Sequence, residues 1–264
     1  MDKNELQIGE GGRRARRRPF LIGLPLFAAA LLTSCGIETI PYYYAPIATS
    51  ATETATSFTF YHETSNNGSD FKGYELYYRC YDTFDAANSD LEAIENLTSA
   101  SSAAPDSVLY SMENTYKFSR MYNSVDGTGA GTTPLLTFPS DAYKGSSVTY
   151  IVSLLPTGWY VTSSYGYNNT TSTTYLYRSA YSAVSSTVHK TFIPTSSIPS
   201  DSATFSTSDS DYTGTNSSTY SYGGTATGAT VYLVVFALGL GLPSDTINMI
   251  PSLPATFGSV IQIR

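Results

Sequence analysis

The sequence predicts an all-β fold, and three observations predict it. The chain of 264 residues carries 23 Tyr and 12 Phe against 1 Trp, and charged residues make up 13% of it. Tyr, Phe, Val and Thr suit a pleated, half-buried surface, while Gly, Asn and Ser suit the turns between strands. Short segments alternate apolar and polar side chains at a period of two, the spacing of a strand with one wet face. Turn signals such as Asn66-Asn67-Gly68 and Asn168-Asn169 fall between them.

The elements follow in chain order. Residues 35–55 sustain no period, and their Pro, Thr, Ser and Ala content reads as a tether. Its Tyr42-Tyr43-Tyr44 run is expected either at a lipid interface or packed on the domain. The folded domain is expected over 56–264. Phe58 and Phe60 mark its first strand, and Phe71 to Tyr81 its second. On that second strand Cys80 shares a face with Tyr74, Leu76 and Tyr78, so a buried, inert thiol is expected. Asp85 to Ala100 breaks the pattern. Leu91, Ile94 and Leu97 recur at helical spacing, and Ser89 with Glu92 reads as a capping box, giving one short helix.

Further strands are expected near Tyr116–Tyr122, Leu135–Phe138, Val148–Leu155, Trp159–Ser163, Thr174–Tyr181 and Val188–Ile193, with Asn168-Asn169 turning a hairpin. Residues 195–228, dominated by Ser, Thr, Gly and Asp, read as a long loop. Thr230 to Leu238 is apolar on both faces and therefore central. Phe257 to Ile263 closes the chain.

The N-terminus carries a targeting signal. Arg13, Arg14, Arg16, Arg17 and Arg18 precede an apolar run from Phe20 to Leu32. That run is well short of the roughly 20 apolar residues a spanning helix needs and fits a signal-peptide core. It ends Leu32-Thr33-Ser34-Cys35, which resembles the bacterial lipobox. The resemblance implies a signal peptide over 1–34 and a mature chain that begins at an acylated Cys35. The membrane is then a partner through lipid. An ordinary secretory signal cleaved after Ala28-Ala29-Ala30, or an uncleaved anchor, is the competing reading. Arg17-Arg18-Pro19-Phe20-Leu21 also resembles a twin-arginine export signal, which leaves the export route open. Gly36 stands where an Asp retains many lipoproteins at the inner membrane, so the outer membrane or cell surface is favoured.

Two segments resemble parts of a fibronectin type III, immunoglobulin-like sandwich. Phe71 to Arg79 is similar to that family's third strand, and Tyr232 to Gly241 to its sixth strand and the loop that follows. The resemblance implies a β-sandwich with Phe58 or Phe60 in place of the family's core Trp, and a long insertion at about 85–228. It implies no activity, because the scaffold serves many functions.

Charge narrows the function. The first 34 residues hold six basic and three acidic side chains, whereas the rest hold eight basic and eighteen acidic ones. So acidic a surface repels nucleic acid, which is not an expected partner. His62 and His189 lie apart on separate strands, and no Gly-x-Ser-x-Gly elbow, zinc spacing or phosphate-binding glycine loop is present, so no cofactor or metal is expected. Asp209-Ser210-Asp211-Tyr212-Thr213-Gly214 matches the first half of a calcium loop, but Tyr220 stands where the bidentate acid belongs, and a solvated acidic loop is the reading preferred.

The rings offer the one candidate ligand surface. Trp159, Tyr160, Tyr165, Tyr167, Tyr175 and Tyr177 cluster around the Asn168-Asn169 turn, and aromatic faces stack on sugars and dominate protein interfaces. The alternative is that they are ordinary strand residues. The expectation is a non-enzymatic cell-envelope lipoprotein that binds a protein or glycan partner or fills a structural role. A carbohydrate-binding or adhesive module using the ring cluster is the first alternative. The second is a secreted hydrolase with a site assembled from the insertion.

Overall fold

Two sheets stack over a shared apolar core, and two helices cover the far side of the larger sheet. A computed structural model describes residues 42–124, 133–155, 158–166, 168–182, 185–192, 203–220, 226–244 and 248–263, all within one unit spanning Pro41–Arg264. Residues 1–34, over which a signal peptide is expected, Cys35 and Tyr167 lie outside the described residues. Mostly antiparallel strands with two short helices make the fold all-β, as the composition predicts.

The smaller sheet has the order β1 (Ile47–Ala48), β2 (Ser57–Tyr61), β4 (Val148–Leu155), β5 (Gly158–Tyr165), β6 (Thr170–Tyr175). Among the described residues the larger sheet has eight strands, built on the long antiparallel pair β3 (Phe71–Tyr81) and β7 (Tyr232–Gly241). Ser119–Arg120 and Leu136–Thr137 pair with β3, and three C-terminal pieces pair with β7. Tyr212–Thr213 adds a parallel edge to β3.

The two faces of the long pair explain its unbroken apolar sequence. Tyr74, Leu76, Tyr78 and Cys80 of β3, with Leu233, Val235 and Ala237 of β7, face the smaller sheet and meet Phe58, Phe60, Tyr150 and Val152. Tyr77, Tyr81, Val234, Phe236 and Leu238 face the other way, onto α1 (Phe84–Ser99) and α2 (Pro105–Asn114). These helices bury Ala87, Leu91, Ile94, Val108 and Met112 there. Fully burying one large side chain contributes about 1.5–3 kcal/mol, so a helix layer on β7 removes the need for polar alternation. Cys80 is fully buried, and burial raises its thiol pKa well above the ordinary value.

Several expectations need correction. Among the described residues there are two α-helices, not one. The second was hidden because its buried face rests on only Val108 and Met112, one turn apart, although Pro105 in its first turn is a start signal. The first helix begins earlier than its presumed capping box. Thr83 is the N-cap without a side-chain cap bond, and Ser89 lies inside the helix on its exposed side. The tether is shorter than 35–55. Tyr43 is buried against Phe71 with its hydroxyl donating to Asp70 at 2.8 Å, and β1 pairs with β2. Gly241 makes that docking possible, since a Cβ there would sit 1.9 Å from the Tyr43 ring. The loop expected over 195–228 contains paired strands at Thr204–Phe205, Tyr212–Thr213, Ser218–Tyr220 and Ala226–Gly228. Its Ser and Thr residues conceal three buried rings, Phe205, Tyr212 and Tyr220.

The Asn168-Asn169 hairpin forms between β5 and β6, with both residues in the left-handed region at φ 67° and 48°, a conformation Asn tolerates. Its second strand starts at Thr170 rather than Thr174. The strand Thr170–Tyr175 is an edge whose residues are half-buried or exposed, so it carries no alternation to read.

Candidate functional site

The six-ring surface does not form. Along β5, Trp159 and Tyr165 turn inward and are 3% and 2% exposed. Trp159 stacks on Phe192 at 4.1 Å, and Tyr165 packs against Tyr143 at 5.1 Å. Tyr160 and Tyr175 turn outward and meet edge to face at 6.1 Å. Tyr177 bridges to Tyr122 outside the strands, and Tyr167 lies outside the described residues. The pleat separates neighbours: side chains adjacent in sequence point to opposite faces, so Trp159 cannot share a surface with Tyr160. A ring cluster in sequence is not a cluster in space.

A denser constellation lies where no motif marked it. Arg178, fully buried, grips Asp211 with two nitrogens, Nε to Oδ2 at 3.1 Å and Nη2 to Oδ1 at 2.6 Å. Nη2 also donates to Asp209 at 2.9 Å and Nη1 to the Thr204 carbonyl at 3.0 Å. Lys190 Nζ donates to both Asp209 oxygens at 2.7 and 2.9 Å, and to the Thr204 carbonyl at 3.1 Å. The guanidinium lies 3.9 Å from the centre of the Phe205 ring. Tyr78 of β3 donates its hydroxyl to Asp211 and accepts the Ser179 amide at 2.6 Å.

Two cations and two carboxylates thus close on one another. Burial alone would lower the Arg178 pKa, but Asp211 outweighs it and the pKa is raised. Burial alone would raise Asp211, and Arg178 outweighs that in turn, holding the carboxyl below its ordinary range. The half calcium loop is accordingly neither a cation site nor a solvated loop. Its first two acidic positions are the counterions of Arg178 and Lys190, and among the described residues no group of three or more His, Cys, Asp or Glu is placed to hold a metal. The signal available in sequence was slight: Arg178 and Lys190 are two of the eight basic residues after residue 34.

Above this network opens a cleft of about 530 Å³, lined by Tyr181, Lys190, Ser206, Ser208, Asp209 and Ser210 among others. Tyr181 is 51% exposed, yet its ring is held: it stacks on His189 at 4.4 Å and 26°. His189 in turn stacks on Tyr122 at 4.0 Å and 22°. A bridge between Tyr181 and His189 fixes the backbone beneath the stack. The Ser206 and Ser208 hydroxyls, in the same lining, lie 3.0 Å apart. The arrangement can offer a flat apolar ring beside neutral donors and acceptors.

Two other buried ionisable groups serve structure. His62 Nε2 donates to the Lys144 carbonyl and Nδ1 accepts from the Tyr74 hydroxyl, both at 2.6 Å, and burial lowers its pKa, which keeps it neutral. Glu75 on β3 is 1% exposed. Its Oε1 accepts the Leu135 amide at 3.2 Å, and Arg120 Nε stands 2.5 Å from Oε2 at an angle too poor for a hydrogen bond. Burial pushes its pKa up to about 8, with Arg120 offsetting only part. A second cleft of about 480 Å³ has Tyr77, Glu113 and Arg120 in its wall, while Glu75 lies outside that lining.

Comparisons with known proteins returned no family model, no curated protein and no solved structure that matches the chain.

Proposed function

We propose that this protein is a lipid-anchored component of a bacterial envelope, acylated at Cys35, that works by binding rather than by catalysis. The observation that carries the binding reading is a contrast in one place. The charges in and beneath the cleft, Arg178, Lys190, Asp209 and Asp211, are spent on one another, while the exposed Tyr181 ring and the mutually bonded Ser206 and Ser208 hydroxyls stand in its lining. A serine nucleophile needs a base beside it to take its proton, and the acids here, Asp209 and Asp211, are held by Arg178 and Lys190; a stacking ring with hydroxyls suits recognition. The ligand class that fits is small, uncharged and hydroxylated with one flat face, as a sugar ring is.

The scaffold in this reading is an immunoglobulin or fibronectin type III-like sandwich. The pairing supports it: β1, β2 and β4 share one sheet, while β3, β7 and the C-terminal strands share the other, as the two sheets of such a sandwich do. The helices between β3 and β4, and residues 158–231, are then additions to it. No helix among the described residues is long and apolar enough to cross a membrane.

Two experiments test this. Metabolic labelling with a fatty-acid analogue should mark the wild type and leave Cys35→Ala unlabelled and free of membranes; a labelled Cys35→Ala would refute the anchor. Titration of the purified chain with mono- and disaccharides should give saturable binding that Tyr181→Ala removes; binding untouched by that change would refute the cleft.

A further inference from the structure

The outer face of the smaller sheet is a second surface, independent of the cleft. The register places one large side chain from each strand along a diagonal. Ile47 stands beside Tyr61, Ile151 is one step along beside Thr59, and Tyr160 is one step further beside Ser153 with Tyr175 across from it. Ile47, Tyr61, Ile151 and Tyr175 are 52%, 38%, 38% and 57% exposed. From strand and residue spacings the stripe runs roughly 23 Å across five strands.

What flanks the stripe is as informative as the stripe. On one side stand Thr149, Thr162, Ser164, Thr171 and Thr173, and on the other Ser57, Thr59 and Ser153. No Asp, Glu, Lys or Arg occurs on this face of β1, β2, β4, β5 or β6, in a chain with eighteen acidic residues after position 34. Each hydroxyl both donates and accepts, and in an edge or face position it is free to turn. Tyr serves protein hot spots as well, but protein interfaces are depleted in Ser and their hot spots seldom use Thr, so the Thr and Ser rows on both flanks favour a hydroxylated polymer over a protein partner. A charged polymer would find no counterion here. A linear, neutral polymer with hydroxyls along its edges and apolar ring faces matches both the stripe and its flanks.

We propose that this face binds an unbranched, uncharged polysaccharide along the Ile47–Tyr61–Ile151–Tyr160–Tyr175 diagonal. The rings and Ile side chains take the faces of successive sugar units, and the Thr and Ser rows take their hydroxyls. The face gives the anchored domain a long, flat contact, which a cleft for one ring does not supply.

The test uses the full chain in detergent micelles and unbranched gluco-, manno- and N-acetylchito-oligosaccharides long enough to span the stripe, with sialylated and uronic-acid oligomers as charged controls. At least one neutral series should bind, with affinity rising with length, and the charged controls should not. Tyr175→Ala and Tyr61→Ala should each weaken binding about tenfold, and Thr162→Lys should abolish it, while Tyr181→Ala leaves it unchanged. Thermal melts of each variant matching the wild type exclude unfolding as the cause, and Ile151→Ser, a smaller change on the same diagonal, gives an intermediate loss. Absence of binding by every neutral series overturns the proposal. So does binding lost only with Tyr181→Ala, which would leave the cleft standing alone, and so does concentration-dependent self-association abolished by Thr173→Lys, which would give the face to a second copy.

Discussion

The two sheets use the same residue types to opposite ends. In the larger, β3 and β7 are buried on both sides, and tyrosines there are structural: Tyr77 donates to Glu113 at 2.9 Å and Tyr81 to Asp90 at 2.8 Å, tying the strand to the helix layer. In the smaller, β2, β4 and, from Trp159 onward, β5 alternate, and the tyrosines on the wet side, Tyr61, Tyr160 and Tyr175, face solvent. Tyr tolerates both because its ring is apolar and its tip is polar. What differs is the neighbour: a helix supplies a carboxylate to close the hydroxyl's bond in one case, and water does so in the other. The long pair of the larger sheet is therefore covered on both faces, whereas the smaller sheet leaves one face to solvent.

Substitutions sharpen this contrast, and the largest effects should fall on the larger sheet's side. Arg178→Met leaves Asp209 and Asp211 facing each other with Lys190 as the only cation, and should cost about 3–5 kcal/mol in urea unfolding, the usual cost of breaking a buried pair. Ile94→Ala, which empties the interface between α1 and the long pair, should cost about 2–5 kcal/mol; a cost below that would show the helix layer to be dispensable.

Glu75 gives a signed dependence on pH. Its carboxyl titrates near 8 in the folded chain and near 4.5 unfolded, so the folded state holds the proton more tightly. Between those values the unfolded state releases a proton that the folded one keeps, and stability should fall as pH rises through the window. Glu75→Gln should flatten that slope in melts taken from pH 4 to 9; an unchanged slope would mean that Arg120 holds Glu75 ionised throughout.

On the smaller sheet the effects shrink. Asn168→Ala forces a left-handed backbone onto a residue that disfavours it and should cost about 1–2 kcal/mol, while Asn168→Gly should cost far less. Tyr175→Ala should change stability by less than about 0.5 kcal/mol, as an exposed edge residue does; a larger loss would place Tyr175 in the packing and not in a binding surface.

Much of the framework was legible because its signals are local. Alternation over Phe58–Phe60 and Val148–Leu155, the helical spacing of Leu91 and Ile94, and the apolar run beginning at Tyr232 each depend on residues a few positions apart. The segment around Ser206–Tyr220 was misread because polar composition describes its surface and conceals Phe205, Tyr212 and Tyr220 beneath. The candidate site was illegible for a related reason. Arg178 meets Asp211 across 33 positions and Tyr78 meets Asp211 across 133, and no spacing rule spans such gaps.

By itself, then, the sequence determined that the chain is a β protein with an acidic body and strands whose inner and outer faces follow from a period of two. Tertiary structure alone decided which faces are covered. It sent Trp159 inward and Tyr160 outward, turned Asp209 and Asp211 from a loop into counterions, and held Tyr181 open above them. The physical reason is that a pleat fixes opposition between neighbours in sequence, whereas burial depends on what a distant segment brings to lie on top.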